Sequence, residues 1–189
     1  MANLTMVYAT EEGQTRKIVE FIAEEARKEG HNVSVLDVAS PLTEDPPPTY
    51  DGLLVASAVH AGRHEGEAER FIVRHLDLLQ SRPSAFLSVS LGAAKTERLP
   101  DVREGVETFL EGTGWSPDLV DFIAGALRYT KYGAAKRWLM KRIAAKEGLP
   151  TDTSTDHEFT DWSEVQAFAR RFVRLVEGHQ DRAESRPSA

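Results

Sequence analysis

Cysteine is absent from the 189 residues, which excludes disulfides, thiolate nucleophiles and cysteine-ligated metals. Long apolar runs are absent too. No window approaches about 18 consecutive hydrophobic residues, so no segment reads as a membrane span. The first residues carry neither the basic stretch nor the apolar core of a signal peptide; residues 1–8 read instead as a strand that begins at once. The expected compartment is therefore the cytoplasm. Positive charge is in deficit overall, with a net charge of −7 that argues against nucleic acid as a partner.

What is present is the composition of a globular protein, 41% hydrophobic and 28% charged. One domain is expected over residues 1–178, followed by a polar tail, 179–189, expected to be disordered. Five short apolar runs recur at 3–9, 32–38, 52–59, 84–91 and 119–125. Those at 52–59 and 84–91 are apolar or small almost throughout, as strands covered on both faces must be. Helical patterns alternate with them. Residues 14–29 put Ile18, Ile22 and Ala26 on one face, and 65–79 carry Ala68, Phe71, Ile72, His75, Leu76 and Leu79 at i, i+3, i+4, i+7 spacing. A weaker helix fits 101–112. The last one opens at "TDWSE", where Thr160 or Asp161 can cap the first turn, and its stripe is Val165, Phe168, Ala169, Phe172, Val173 and Val176.

This alternation predicts an α/β three-layer sandwich around a five-stranded parallel sheet with right-handed crossovers. Two segments stand apart. "SPLTEDPPPTY" (40–50) reads as a proline-stiffened connection, and 126–160 as an insertion between the fifth strand and the last helix. In such sheets ligands bind beyond the carboxyl ends of the strands, which selects three loops: 10–15, 57–64 and 90–98. The first, Thr10-Glu11-Glu12-Gly13-Gln14-Thr15, offers two hydroxyls, a glycine for close backbone approach and the N–H groups of a helix start, though two carboxylates sit among them. It is neither a Walker loop nor GxGxxG, and an ordinary capped turn is the competing reading. The second, "SAVHAGRHEGE", holds His60, Arg63 and His64; a solvated surface turn is its plain alternative, and no metal is expected because the two histidines lack ligand spacing on a rigid element. Small residues there and in "SLGAAKTERLP" leave room for a flat ring against backbone.

At these residues the chain resembles the flavodoxin-like superfamily, whose phosphate loop reads T-x-T-G-x-T or a close variant: Thr10, Gly13 and Thr15 match, and Glu12 replaces a hydroxyl residue. Over 3–176, the stretches "TEEGQTRKI", "YDGLLVASAVHAGRH", "RPSAFLSVSL", "GWSPDLVDFIAGALRYTKY" and "TDTSTDHEFTDWSEVQAFA" resemble the menaquinone-dependent protoporphyrinogen oxidase family, in which an acid before the loop glycine is usual. The resemblance implies a flavodoxin-like strand order 2-1-3-4-5 with a helical insertion after strand five. It implies FMN as cofactor, with contacts from Thr10, Glu11, Glu12, Gly13, Gln14 and Thr15. The ring system would lie between Ser57, Ala58, Val59, His60, Ala61 and Gly62 on one side and Ser90, Leu91, Gly92 and Ala93 on the other, with 126–129 closing an edge. It further implies oxidation of a porphyrinogen with a quinone as acceptor, in haem biosynthesis, with His60 or Arg63 stabilising reduced flavin or moving a proton.

The insertion is the charge anomaly. Over 128–146 there are seven cations and no acid, while the remainder carries 16 Lys and Arg against 30 Asp and Glu. A helix is expected over 133–147, with Tyr132, Ala135, Leu139 and Ile143 on one stripe and Trp138 and Met140 at its flanks. Three readings stand side by side. The stripe packs on the domain and the cations are solvated; or the helix lies on an anionic membrane surface as a peripheral contact; or the cations bind substrate carboxylates. Arg128, Tyr129, Lys136, Arg137, Trp138, Lys141 and Arg142 are the candidates for the last two. Rival functions are a flavodoxin-type electron carrier, a scaffold without flavin, and an NAD(P)H-dependent quinone or flavin reductase.

Overall fold

The computed structural model describes residues 1–40 and 50–184. The proline-rich connection falls on 41–49 and lies outside the described residues. Five strands form one parallel sheet: β1 (Asn3–Ala9), β2 (Asn32–Asp37), β3 (Gly52–His60), β5 (Ser84–Ser90) and β6 (Leu119–Ala124), in the order β2-β1-β3-β5-β6. This is the expected 2-1-3-4-5 arrangement. Leu4 pairs with Val33 on one side and Gly52 on the other, Leu53 pairs with Ser84, and Ala85 with Leu119. β3 and β5 are buried along almost their whole length, which is why their sequences run apolar without alternation.

Helices α1 (Gln14–Lys28) and α6 (Trp162–Glu184) cover one face of the sheet. Ile18, Val19 and Ile22 meet Val165, Phe168, Phe172 and Val176 over Leu4, Met6, Leu54 and Leu87. Gly52 lets α6 approach closely, since a Cβ there would stand 2.3 Å from a methyl of Val176. Asp161 caps α6 by accepting the Ser163 N–H at 2.8 Å. Thr160, the other candidate cap, instead donates to the Ala124 carbonyl at 2.7 Å. The opposite face is covered by α2 (Gly66–Arg74), α3 (Leu76–Ser81) and α4 (Leu99–Thr113), which bring Phe71, Ile72, Leu79 and Val106 onto Val7, Leu53, Val55 and Phe86.

Three elements depart from expectation. The single helix read over 65–79 is broken at His75, whose backbone leaves the helical region at φ −114°, ψ 24° as its buried ring packs on Phe71 at 4.6 Å. The apolar spacing continues across the break, so periodicity alone cannot show it. The tail expected to be disordered from 179 is helical as far as Glu184, because α6 runs on in residues that are polar but compatible with helix. The loop after β3 is a hairpin. Residues His60 and Arg63 pair across a two-residue turn to the short strand β4 (Arg63–His64), with Ala61 at φ 49° and Gly62 at φ 77°, the double left-handed turn that matches strand twist.

The insertion leaves and rejoins the sheet at one point. β7 (Ala126–Leu127) pairs antiparallel with β8 (His157–Glu158), and the Phe159 N–H donates to the Gly125 carbonyl at 3.0 Å. Between them runs α5 (Ala134–Lys146), as expected within a residue at each end. The docked side differs from the expected stripe: the small core beneath it holds Tyr129, Tyr132, Met140 and Ala144. Leu139 and Ile143 are half exposed and Trp138 is 60% exposed. This 13-residue helix is held through Ala144, Met140, Arg137 and Lys136 and leaves its other sides to solvent.

Candidate functional site: a cavity at the carboxyl edge of the sheet

The carboxyl ends of β1, β3, β5 and β6 open into a cavity of about 400 Å³, within the range of small-molecule sites. Its floor is the phosphate-type loop. Gly13 sits at φ 89°, a left-handed value that glycine adopts without Cβ strain, and its N–H donates to Thr10 Oγ1 at 3.0 Å. α1 then starts at Gln14 with no side-chain cap on its free N–H groups. Thr15 is fully buried, and its Oγ1 has no hydrogen-bond partner. A buried hydroxyl without a partner is costly. Beside the positive end of an uncapped helix, it matches a phosphate or similar anion.

The two loop carboxylates are engaged by the insertion. Lys136 reaches Glu11 at 2.7 Å and Glu12 at 3.1 Å, and the Tyr132 hydroxyl donates to Glu12 at 2.7 Å. The hydrogen bond from Lys136 holds the Glu11 carboxyl below the usual carboxylate range. Burial, and then the bond to Glu12, push the Tyr132 hydroxyl upward, so it stays protonated as a donor. His60 stands among acids, 3.3 Å from Glu65, 3.9 Å from Glu12 and 4.0 Å from Glu11.

Of the expected cofactor contacts, Thr10, Glu12, Gln14, Thr15, Ala58, Val59, His60, Ala61, Gly62, Ser90, Leu91 and Gly92 line the cavity. Glu11, Gly13, Ser57 and Ala93 do not. Ser57 is buried and braces the hairpin, accepting the Glu65 N–H at 3.2 Å. Arg63 is exposed at the turn, outside the lining. His64, weighed only as a loop histidine, lines the cavity with Nε2 3.0 Å from Ser88 Oγ and its ring against Phe86 and Phe109. Burial pushes its imidazole down to about 4, so it is neutral. A second part of the wall was not among the expected contacts by residue: Lys95 and Arg98, within the loop selected at 90–98, and Val102 on one side, Met140, Ile143 and Leu149 on the other. These lie on separate elements with no common spacing; the closest sequence signal was the lysine within "GAAKTER".

The insertion's cations divide into two groups. Arg128 bonds Gln14 Oε1 at 2.9 Å and reaches Asp156 at 3.4 Å; Arg137 donates to the Tyr129 and Tyr132 carbonyls at 3.1 and 2.9 Å; Lys136 holds the loop acids. Tyr129 is fully buried and donates to the Pro150 carbonyl at 3.0 Å. These residues fasten the insertion. Lys141, Arg142 and Lys146 are exposed, and the Arg142 guanidinium lies 5.1 Å from the Trp138 ring. At the far end of α5, Lys95 donates to the Glu147 carbonyl, so the helix bridges the cavity from the phosphate-type loop to the loop after β5.

Comparison with known proteins agrees with this geometry. The flavodoxin domain family matches residues 5–154. Protoporphyrinogen IX dehydrogenase [quinone] of Escherichia coli strain K12 is 34% identical over 173 residues, 91% of this chain and 95% of the relative; the protein of that name from Leishmania major is 31% identical over 90% of this chain and 74% of its own. Oxidised flavodoxin 1 from Bacillus cereus superposes with a TM-score of 0.54 at 16% identity, covering 91% of this chain and 97% of that one. The chain therefore belongs to the flavodoxin domain family and, within it, to the branch that includes the protoporphyrinogen IX dehydrogenases [quinone].

Proposed function

We propose that the chain is an FMN-dependent oxidoreductase that takes electrons from protoporphyrinogen IX and passes them to a quinone. The observation that carries the cofactor is the buried, unpartnered Thr15 hydroxyl at the uncapped start of α1. The likeness over 91% of the chain to proteins named for this substrate and acceptor carries the reaction. Thr10, Gly13, Gln14 and Thr15 hold the phosphate, and the hairpin of β3 and β4 and the turn Gly92–Ala94 flank the ring system. Bound FMN supplies the redox chemistry, accepting electrons from one substrate and giving them to the next. His60 faces the cavity among three carboxylates and is placed to pass a proton to or from the ring system, a role for which Arg63 is less well placed.

No described helix is long and apolar enough to cross a membrane. The exposed Trp138, Leu139 and Ile143, flanked by Lys141, Arg142 and Lys146, suit a shallow contact with an anionic membrane surface on the cytoplasmic side. Such a contact would put the helix where a lipid-soluble quinone is found and leave the sandwich of the single domain, residues 1–178, in water. The test is an absorbance spectrum of the protein loaded with FMN, followed anaerobically as protoporphyrinogen is added. Bleaching of the flavin as porphyrin fluorescence rises is expected, with colour restored by a quinone. Bound flavin that does not bleach would refute the reaction and make the chain a carrier or a reductase of another kind; failure to bind FMN would refute the cofactor.

A further inference from the structure

A carboxylate in a loop that receives a phosphate needs a physical reason, because two like charges a few ångströms apart repel. We propose that Glu12 is a positioning residue that ties the phosphate loop to the insertion, so that occupancy of the loop and placement of α5 are energetically linked. The proposal rests on the FMN reading for the identity of the ligand, and on the contacts of Glu12 for the tie.

The Glu12 side chain is only 12% exposed, and its two nearest partners come from the insertion, the Tyr132 hydroxyl at 2.7 Å and Lys136 at 3.1 Å, with His60 farther off at 3.9 Å. A largely buried carboxylate persists only when so paired. Its main chain is held as well, since Lys131 donates to the Glu12 carbonyl at 2.9 Å. Tyr132 is itself 4% exposed, and its oxygen accepts the Arg128 N–H at 3.2 Å. Without Glu12 its hydroxyl proton loses its acceptor. The backbone N–H groups of this same short loop are those that would meet phosphate. A phosphate that fixes the loop therefore fixes the anchor of α5, and by reciprocity a docked α5 favours phosphate. A hydroxyl residue in place of Glu12 is too short to span to Tyr132 and also hold Lys136. The acid is thus explained by the insertion residues it holds at the cavity wall, while Lys136 and the helix N-terminus offset its charge.

Limited trypsin digestion reads the tie directly, because Lys131, Lys136, Arg137, Lys141, Arg142 and Lys146 place cleavage sites along the insertion. Saturating FMN is expected to slow cleavage at these sites in the full chain by roughly tenfold. In Glu12→Ala, the FMN-free protein is expected to be cut faster than the parent, and FMN, with its binding verified by quenched flavin fluorescence, to slow cleavage less than about twofold. Tyr132→Phe should reproduce the effect, and the double variant should be no worse than either single one. FMN protection of Glu12→Ala as strong as that of the parent, or an unchanged cleavage rate in both variants without FMN, would overturn the tie. Should the parent protein bind no FMN, the cofactor reading fails by itself. The rates without FMN then decide the tie: faster cutting of both variants supports it, and unchanged cutting overturns it.

Discussion

The buried His64 makes the stability of the fold depend on pH in a calculable way. Its ring lies 4.4 Å from Phe109 and 5.3 Å from Phe86, its Nε2 meets Ser88, and burial pushes the imidazole down to about 4. In the unfolded chain the same group titrates near 6.5, so as acidity rises the unfolded state takes up the proton first. The stabilising contribution of neutral His64 is therefore whole above about pH 6.5, drains away as pH falls toward 4, and levels off below that. At 1.36 kcal/mol per pH unit the separation is worth about 3 kcal/mol in all, of which about 2 kcal/mol is lost between about pH 7.5 and 5. Urea unfolding followed by the fluorescence of buried Trp115, in parent and His64→Phe across that range, measures it. The variant keeps an aromatic ring but orphans the Ser88 hydroxyl, a penalty that does not vary with pH, so the difference between the two proteins isolates His64. It should narrow by about 2 kcal/mol on acidification. A difference constant to within about 0.5 kcal/mol would show that the imidazole protonates in place and that burial does not control it.

Removal of the unpartnered hydroxyl in Thr15→Val should weaken FMN binding by at least about tenfold while leaving the urea midpoint unchanged, because no protein group loses a bond; a fluorescence titration decides it. Phe172→Ala should cost about 3–5 kcal/mol in the same urea assay, since the ring is fully buried between α1, α6 and the sheet. Combined Trp138→Ser, Leu139→Ser and Ile143→Ser should change stability by less than about 0.5 kcal/mol each, as exposed side chains do. The same triple variant should abolish sedimentation with anionic liposomes; retained sedimentation would remove the membrane surface from the proposed function.

The sandwich was legible because its signals are repeated and local. Five apolar runs became the five parallel strands in the expected order, and the stripes of Ile18 and Ile22 in α1 and Phe168 and Phe172 in α6 face the core as their spacing requires. Two-residue strands such as β4 have no period to read, so the hairpin had only the turn at Ala61 and Gly62 to announce it. α5 misled for a different reason. Apolar residues occur on several of its sides, and only contact with Tyr132 and Leu149 selects Met140 and Ala144 as the docked ones. In the site, the loop around Gly13 was readable as a pattern of hydroxyls and glycine. The long-range ties of Glu12, 120 residues from Tyr132, and the neutral state of His64 depend on neighbours that folding alone brings together.

The single doorway through which the insertion leaves and rejoins the sheet has a consequence for how the chain can be altered. Gly125 and Phe159 are joined by one hydrogen bond, and β7 and β8 zip the strands just outside it. In chain-entropy terms residues 126–158 are a closed detour. Exchanging them for a turn of about four residues would lower the closure cost by roughly 2 kcal/mol, without stretching any link of the sandwich. The fold is thus built to carry interchangeable excursions at this point. A chimera with a plain turn here would present the bare flavodoxin frame, and one with a foreign insertion would present a new face over the same cavity.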